Sequence, residues 1–118
     1  MNTLIDTSIW IQHLQAPNKK LSQLLAENQV LVHPFIVGEI FIGHVRNRKE
    51  VMTLLGYLPQ IKTATEIEVQ ELVRKHRFFG RGLGWIDCHL LASTLLQGAD
   101  LYSNDRALTK AHQDLAAF

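Results

Sequence analysis

Four of the eleven acidic residues in this 118-residue chain have apolar company. Asp6 follows Thr3-Leu4-Ile5, Glu39 lies inside Phe35-Ile36-Val37-Gly38-Glu39-Ile40-Phe41-Ile42, Asp87 follows Trp85-Ile86, and Asp105 follows Leu101-Tyr102-Ser103-Asn104. The other seven sit in polar or mixed segments where hydration accounts for them. A carboxylate withdrawn from water is costly unless it is hydrogen-bonded, paired or bound to a metal. Each of the four has a local explanation. Asp6, Asp87 and Asp105 precede helical runs and are candidate helix caps, and Glu39 is a candidate for a buried pair with Lys or Arg. One cause would cover all four: convergence on a single crevice, where unit charges about 4 Å apart repel by about 4 kcal/mol at an effective dielectric of about 20. A cation would relieve that repulsion. All-oxygen donors select hard ions such as Mg²⁺ or Mn²⁺ over zinc or copper, and such ions serve phosphodiester hydrolysis.

Other chemistries find less support. His44 and His89 lie near the acids but read as packed or solvated side chains. Ser8, Ser93 and Ser103 stand in no G-x-S-x-G elbow, and Gly80 to Gly84 lack the phosphate-cradling G-x-x-x-x-G-K-[ST] pattern. Asp6-Thr7-Ser8 lacks the second acid of an Asp-x-Asp phosphatase. The lone Cys88 can form no internal disulfide, reads as a small core residue and suits a reducing compartment. A net charge of +1 does not mark a bulk nucleic-acid binder. Seven of the twelve basic residues nevertheless fall in two clusters, Arg46, Arg48 and Lys49, and Arg74, Lys75, Arg77 and Arg81. Either is a solvated helix face or a phosphate-contacting patch. Phe78-Phe79, between Arg77 and Arg81, reads as core before it reads as a base-stacking pair.

The elements that would carry the acids are short. Asn2–Ile5, Val30–Val32, the residues around Ile61 and Asp100–Ser103 read as strands, Val30–Val32 as a buried one. Helical spacing follows Asp6, covers Leu21–Leu25, runs from Pro34 towards Val45 and then from Arg48 to Leu55. Thr65 with Glu68 has capping-box spacing, His89–Leu96 continues Trp85-Ile86-Asp87, and Asn104-Asp105 opens the last helix. Alternating strands and helices predict an α/β fold with a parallel sheet, in one domain over residues 1–118. Ligands of such sheets bind beyond the carboxyl ends of the strands, where Asp6 and Asp105 fall. The N-terminus lacks a basic region before an apolar run, and no stretch approaches membrane-spanning length, so neither secretion nor a membrane span is expected.

With these residues in view, the chain resembles the PIN-domain nucleases, and among them the VapC-type toxins of toxin–antitoxin pairs. The resemblance rests on Leu4-Ile5-Asp6-Thr7-Ser8-Ile9-Trp10-Ile11, Val37-Gly38-Glu39-Ile40, Gly84-Trp85-Ile86-Asp87-Cys88-His89-Leu90-Leu91-Ala92-Ser93 and Ser103-Asn104-Asp105, in that order. It implies a PIN-like fold, a short parallel sheet of four to five strands flanked by helices on both sides. It also implies an acidic crevice holding Mg²⁺, with Mn²⁺ as substitute. Asp6 and Asp87 would be direct ligands, with Glu39 and Asp105 completing the catalytic and metal site directly or through water. Ser8, Ser103 and Asn104 would orient these acids or shape their loop, and Arg46, Arg48, Lys49, Arg77 and Arg81 would contact RNA. The implied activity is endoribonuclease cleavage of structured RNA, tRNA or rRNA, to 5′-phosphate and 3′-hydroxyl ends in the cytoplasm. The implied partners are a second copy of the chain and an antitoxin whose tail blocks the active-site groove. The alternative is a catalytically silent PIN-like module that binds RNA or protein. The short tail Leu115-Ala116-Ala117-Phe118 leaves little room for a fifth strand.

Overall fold

The computed structural model of the chain describes residues 2–116. Its sheet is built from the apolar runs anticipated above, β1 (Thr3–Ile5), β2 (Val30–Leu31) and β3 (Asp100–Tyr102), in the order β2-β1-β3. Both pairings are parallel, with Thr3 opposite Val30 and Asp100, and Leu4 opposite Leu31 and Leu101. Parallel neighbours require long crossovers. These are supplied by α1 (Thr7–Gln15) and α2 (Lys19–Ala26) before β2, then by α3 (Pro34–Ile42), α4 (Arg48–Gly56), α5 (Glu66–His76) and α6 (Trp85–Gln97) before β3; α7 (Arg106–Ala116) follows.

Leu4 and Ile5 are fully buried and form the centre of the core. Ile9 and Trp10 of α1 and Ile36 and Ile40 of α3 join them, as do Leu90 and Leu91 of α6 and Leu108 of α7. Each such side chain contributes roughly 1.5–3 kcal/mol on leaving water. α3 packs against both α1 and α4, and α6 against both α5 and α7, giving two helical groups around the sheet.

Local chemistry explains most boundaries. Pro34 occupies the first turn of α3, where its missing N–H costs nothing. Thr65 and Glu68 form the reciprocal capping box expected of them. Gly98 ends α6 with φ +68, a left-handed conformation that glycine adopts without strain.

Three expectations are corrected. The sheet has three strands among the described residues rather than four to five. Around Ile61 the pairing is a single parallel bridge: Val32 N–H donates to Pro59 O and Ile61 N–H to Val32 O. Pro59 has no N–H to extend a ladder, and the chain passes directly to the cap of α5. No fifth strand can begin at Leu115-Ala116, which belong to α7; residues 117 and 118 lie outside the described residues. Second, α3 stops at Ile42 rather than near Val45. A side chain at Gly43 would press on the Glu39 carbonyl at 3.2 Å, and the Arg48 guanidinium occupies Gly43 O at 2.6 Å. Third, α6 already begins at Trp85, which places Asp87 inside its first turn. Among the described residues, no helix is long and apolar enough to cross a membrane.

Candidate active site

Asp6 is the residue at which β1 becomes α1. Its N–H donates to Tyr102 O at 3.0 Å, extending the β1–β3 pairing by one bond and fixing Asp6 at the carboxyl edge of the sheet. One carboxylate oxygen, Oδ1, accepts Thr7 N–H at 2.8 Å and caps α1. The other, Oδ2, accepts the Ser103 hydroxyl at 2.7 Å. Ser103 Oγ in turn accepts Asp105 N–H at 3.0 Å, so one hydroxyl joins the first and last acids across two strand ends. Asp105 caps α7 through Leu108 N–H.

Asp87 arrives from α6. This helix runs back towards β3 and therefore presents its N-terminus at the same sheet edge. Asp87 sits at the third helical position and accepts Gly84 N–H at 2.9 Å. Its carboxyl is held above the ordinary carboxylate range, first by burial and then by the negative charges of Asp105, Asp6 and Glu39; the Gly84 bond offsets part of this. All four acids thus share one electrostatic neighbourhood. None of them joins the ion pairs found among the described residues, Arg81 and Lys110 with Asp114.

Glu39 is not the buried carboxylate its sequence context suggests. It is exposed, as is Asp105, while Asp6 and Asp87 are half-buried. α3 lies at the surface and buries only Ile36 and Ile40, so Glu39 needs no buried counter-charge. It is held instead by Thr7, whose hydroxyl donates to Oε1 at 2.7 Å and ties the start of α1 to the middle of α3. His33, at the end of β2, caps α3 by accepting Phe35 N–H on Nδ1 at 3.0 Å. Burial, and then neighbouring His89, push the His33 imidazole down to about 4, so it remains a neutral acceptor.

Local capping and convergence therefore hold together. Asp6, Asp87 and Asp105 each organise a helix start with one oxygen, and the cluster is assembled because those starts meet. Among the described residues, no three acidic, His or Cys side chains are gathered closely enough to hold a metal ion as they stand. The donor chemistry nevertheless suits a hard divalent cation: oxygen ligands only, like charges raising Asp87, and no ion pair to any of the four acids among the described residues.

The supporting residues are partly different from those expected. Ser8 is exposed, and the neighbouring hydroxyl, Thr7, is the one that touches an acid. With Asp6 as the cap, Thr7 is the first helical residue, and that placement is the signal that could have found it. Asn104 donates to Gln12 Oε1 at 3.2 Å and so fixes its loop to α1. A positioning role predicts that Thr7→Val lowers the rate of the reaction at this site about 10–100-fold, the usual effect of removing a bond that orients a ligand. Ser8→Ala should leave the rate unchanged, and equal effects of the two in a single-turnover assay would refute the assignment.

The basic residues divide by environment. Arg46, Arg48 and Lys49 are exposed in the α3–α4 connection and at the start of α4, and Arg77 is exposed at the end of α5. Arg81 is engaged internally, 2.8 Å from Asp114 and with its guanidinium carbon 5.1 Å from the centre of the Phe78 ring. Phe78 is core, whereas Phe79 is exposed.

A strand-edge acid cluster on a short parallel sheet flanked by helices defines a class, and the comparisons agree with it. The PIN domain family matches residues 3–113, and the chain belongs to that family. Its similarity is to VapC-type members. Ribonuclease VapC32 from Mycobacterium tuberculosis, in strain CDC 1551 / Oshkosh and in strain ATCC 25618 / H37Rv, is 40% identical over 109 residues, 92% of this chain and 88% of each relative.

Proposed function

We propose that residues 1–118 form a single PIN domain acting as a divalent-metal-dependent endoribonuclease, the toxin of a toxin–antitoxin pair. It would cleave structured RNA, tRNA or rRNA, in the cytoplasm to 5′-phosphate and 3′-hydroxyl ends. The observation that carries this reading is the unneutralised four-acid neighbourhood at the carboxyl edge of the sheet, in a chain 40% identical to proteins named ribonucleases.

Asp6 and Asp87 would hold Mg²⁺, or Mn²⁺ in its place, with Glu39 and Asp105 completing the set as their exposed side chains turn inward. When bound, the cation offsets charge on the phosphate and the departing 3′ oxygen and acidifies a water. The chain's own groups do the rest. Ser103 holds Asp6 and Asp105 in register, Thr7 holds Glu39, and Gly84 N–H fixes Asp87. Arg46, Arg48, Lys49 and Arg77 would contact the RNA backbone; Arg81 would do so only by leaving Asp114.

A homodimer is supported by the far end of α3, where Phe41 is 54% and Ile42 81% exposed. Two large apolar side chains left in solvent at one helix end call for cover. Ile42→Lys should leave the helical content unchanged and shift the light-scattering mass from two chains to one. A wild-type mass of one chain would remove the dimer from this reading.

The direct test of activity is incubation of total bacterial RNA with purified, antitoxin-free protein in Mg²⁺ and in EDTA. Discrete cuts in Mg²⁺ alone are expected. Folded protein that binds RNA equally in both buffers and cuts in neither would favour the silent binding module.

A further inference from the structure

Two large aromatic side chains are left partly in solvent at the starts of the helices that carry Glu39 and Asp87. Phe35 is 40% exposed in the first turn of α3, one helical turn before Glu39, and Trp85 is 45% exposed at the start of α6, two residues before Asp87. Both rings rest on one imidazole. The His89 ring centre lies 5.0 Å from that of Phe35 and 5.2 Å from that of Trp85, with interplanar angles of 66° and 85°. His89 itself is only 5% exposed, and its Nε2 has no hydrogen-bond partner. His33 backs the far side of the array, its ring centre 5.0 Å from that of Phe35.

The two helical groups meet here, at the sheet edge that carries the acids. Burying these rings in the core would have been the ordinary use of a Phe and a Trp. Instead the fold holds them edge-on against a buried support while leaving both accessible. An exposed, rigidly backed aromatic pair matches the chemistry of an unpaired nucleobase, which stacks on such rings and offers donors and acceptors along its edge.

We propose that Phe35 and Trp85, backed by His89, form a stacking platform for an unpaired nucleobase adjacent to the phosphate positioned at the acid cluster. This rests on the ribonuclease reading and assigns it two base-contacting residues. Placement favours RNA over a second protein copy as the occupant. Trp85 shares the first turn of α6 with Asp87 and Phe35 stands one turn before Glu39, so a polynucleotide bound at the acids comes within reach of both rings. The uncovered apolar end of α3 at Phe41 and Ile42 lies two turns away from Phe35.

The chain contains two tryptophans, and Trp10 is buried, so Trp85 is a natural reporter. The experiment titrates an unstructured RNA oligomer of about 12 nucleotides, or its duplex with a complementary strand, into the full chain in EDTA, which keeps the RNA intact. Tryptophan emission is followed together with the anisotropy of end-labelled RNA. Saturable quenching by the single strand, with weak quenching by the duplex, is expected. Trp85→Phe should abolish the signal while keeping the affinity. Trp85→Ala and Phe35→Ala should each weaken binding roughly tenfold or more, as loss of one stacked base does.

Anisotropy showing saturation while Trp85 emission stays constant would overturn the platform, and so would equal affinity for single strand and duplex. Emission that varies with protein concentration but not with RNA would assign the surface to a second copy instead. Cleavage in Mg²⁺ separates the two readings. A wild type that cuts RNA without quenching retains the ribonuclease reading and loses the platform, whereas RNA that is neither cut nor bound removes both.

Discussion

Asp87→Asn is expected to cut RNA cleavage by about 10²–10³-fold, in the range seen when a preorganised charge-stabilising group is removed, and at the same time to raise the melting temperature of the metal-free protein at neutral pH. The opposite signs follow from the site. Asn keeps an oxygen to accept Gly84 N–H, so the start of α6 survives, while the charge crowded by Asp105, Asp6 and Glu39 is gone. Burial and those neighbours hold the Asp87 carboxyl above its ordinary value, so the folded chain takes up this proton more readily than the unfolded chain. Its stability contribution is therefore intact in acid. It is lost as pH rises from the ordinary carboxylate range through the raised folded value. The stabilising effect of the substitution should accordingly vanish below about pH 4, where Asp87 is protonated in both states. Melting curves from acid to neutral pH test this, and a variant less stable than wild type at neutral pH would make Asp87 a structural cap alone.

Removing divalent cations should be as severe. Protein dialysed against EDTA is expected to lose about as much cleavage as Asp87→Asn, because the four acids join no ion pair among the described residues and the cation offsets the charge of the phosphate there. Mg²⁺ or Mn²⁺ should restore activity. Binding to the folded state alone also stabilises it, by about 2.7 kcal/mol when the free cation is 100 times its Kd. In Asp6→Asn that stabilisation should shrink, while the cap on α1 persists through the remaining side-chain oxygen accepting Thr7 N–H. Cleavage indifferent to EDTA, with a melting temperature indifferent to Mg²⁺, would contradict a metal-dependent site.

What could be read from the sequence tracks the range of the interaction concerned. Pro34 at a helix start, the Thr65–Glu68 capping box and the glycine at position 98 are local rules, and they operate where the residue types place them. The parallel sheet was legible because its strands are short apolar runs separated by helix-length crossovers. The bridge at Gln60 was not, because whether a strand extends depends on donors that Pro59 lacks and on the partner at Val32. Glu39 is the instructive site residue. Its apolar neighbours suggested burial, yet α3 uses only Ile36 and Ile40 for the core and leaves Glu39 outside, in reach of Thr7. A one-dimensional pattern records that a residue has apolar neighbours, but not whether the protein supplies a surface to cover them. For the same reason the aromatic array of Phe35, His89 and Trp85 escaped notice, since its members come from two helices separated by more than forty residues of chain.

The most direct measurement is the chemistry of the cut ends. Total bacterial RNA is digested by the wild-type protein in Mg²⁺, with Asp87→Asn as control, and the new termini are sequenced after ligation schemes specific for each end group. Attack on phosphorus by water held at the four acids yields 5′-phosphate and 3′-hydroxyl ends that disappear in the variant. Ends carrying 2′,3′-cyclic phosphate, formed equally well in EDTA, would mean that the RNA's own 2′-hydroxyl is the nucleophile and that Asp6, Glu39, Asp87 and Asp105 do not form a hydrolytic metal site.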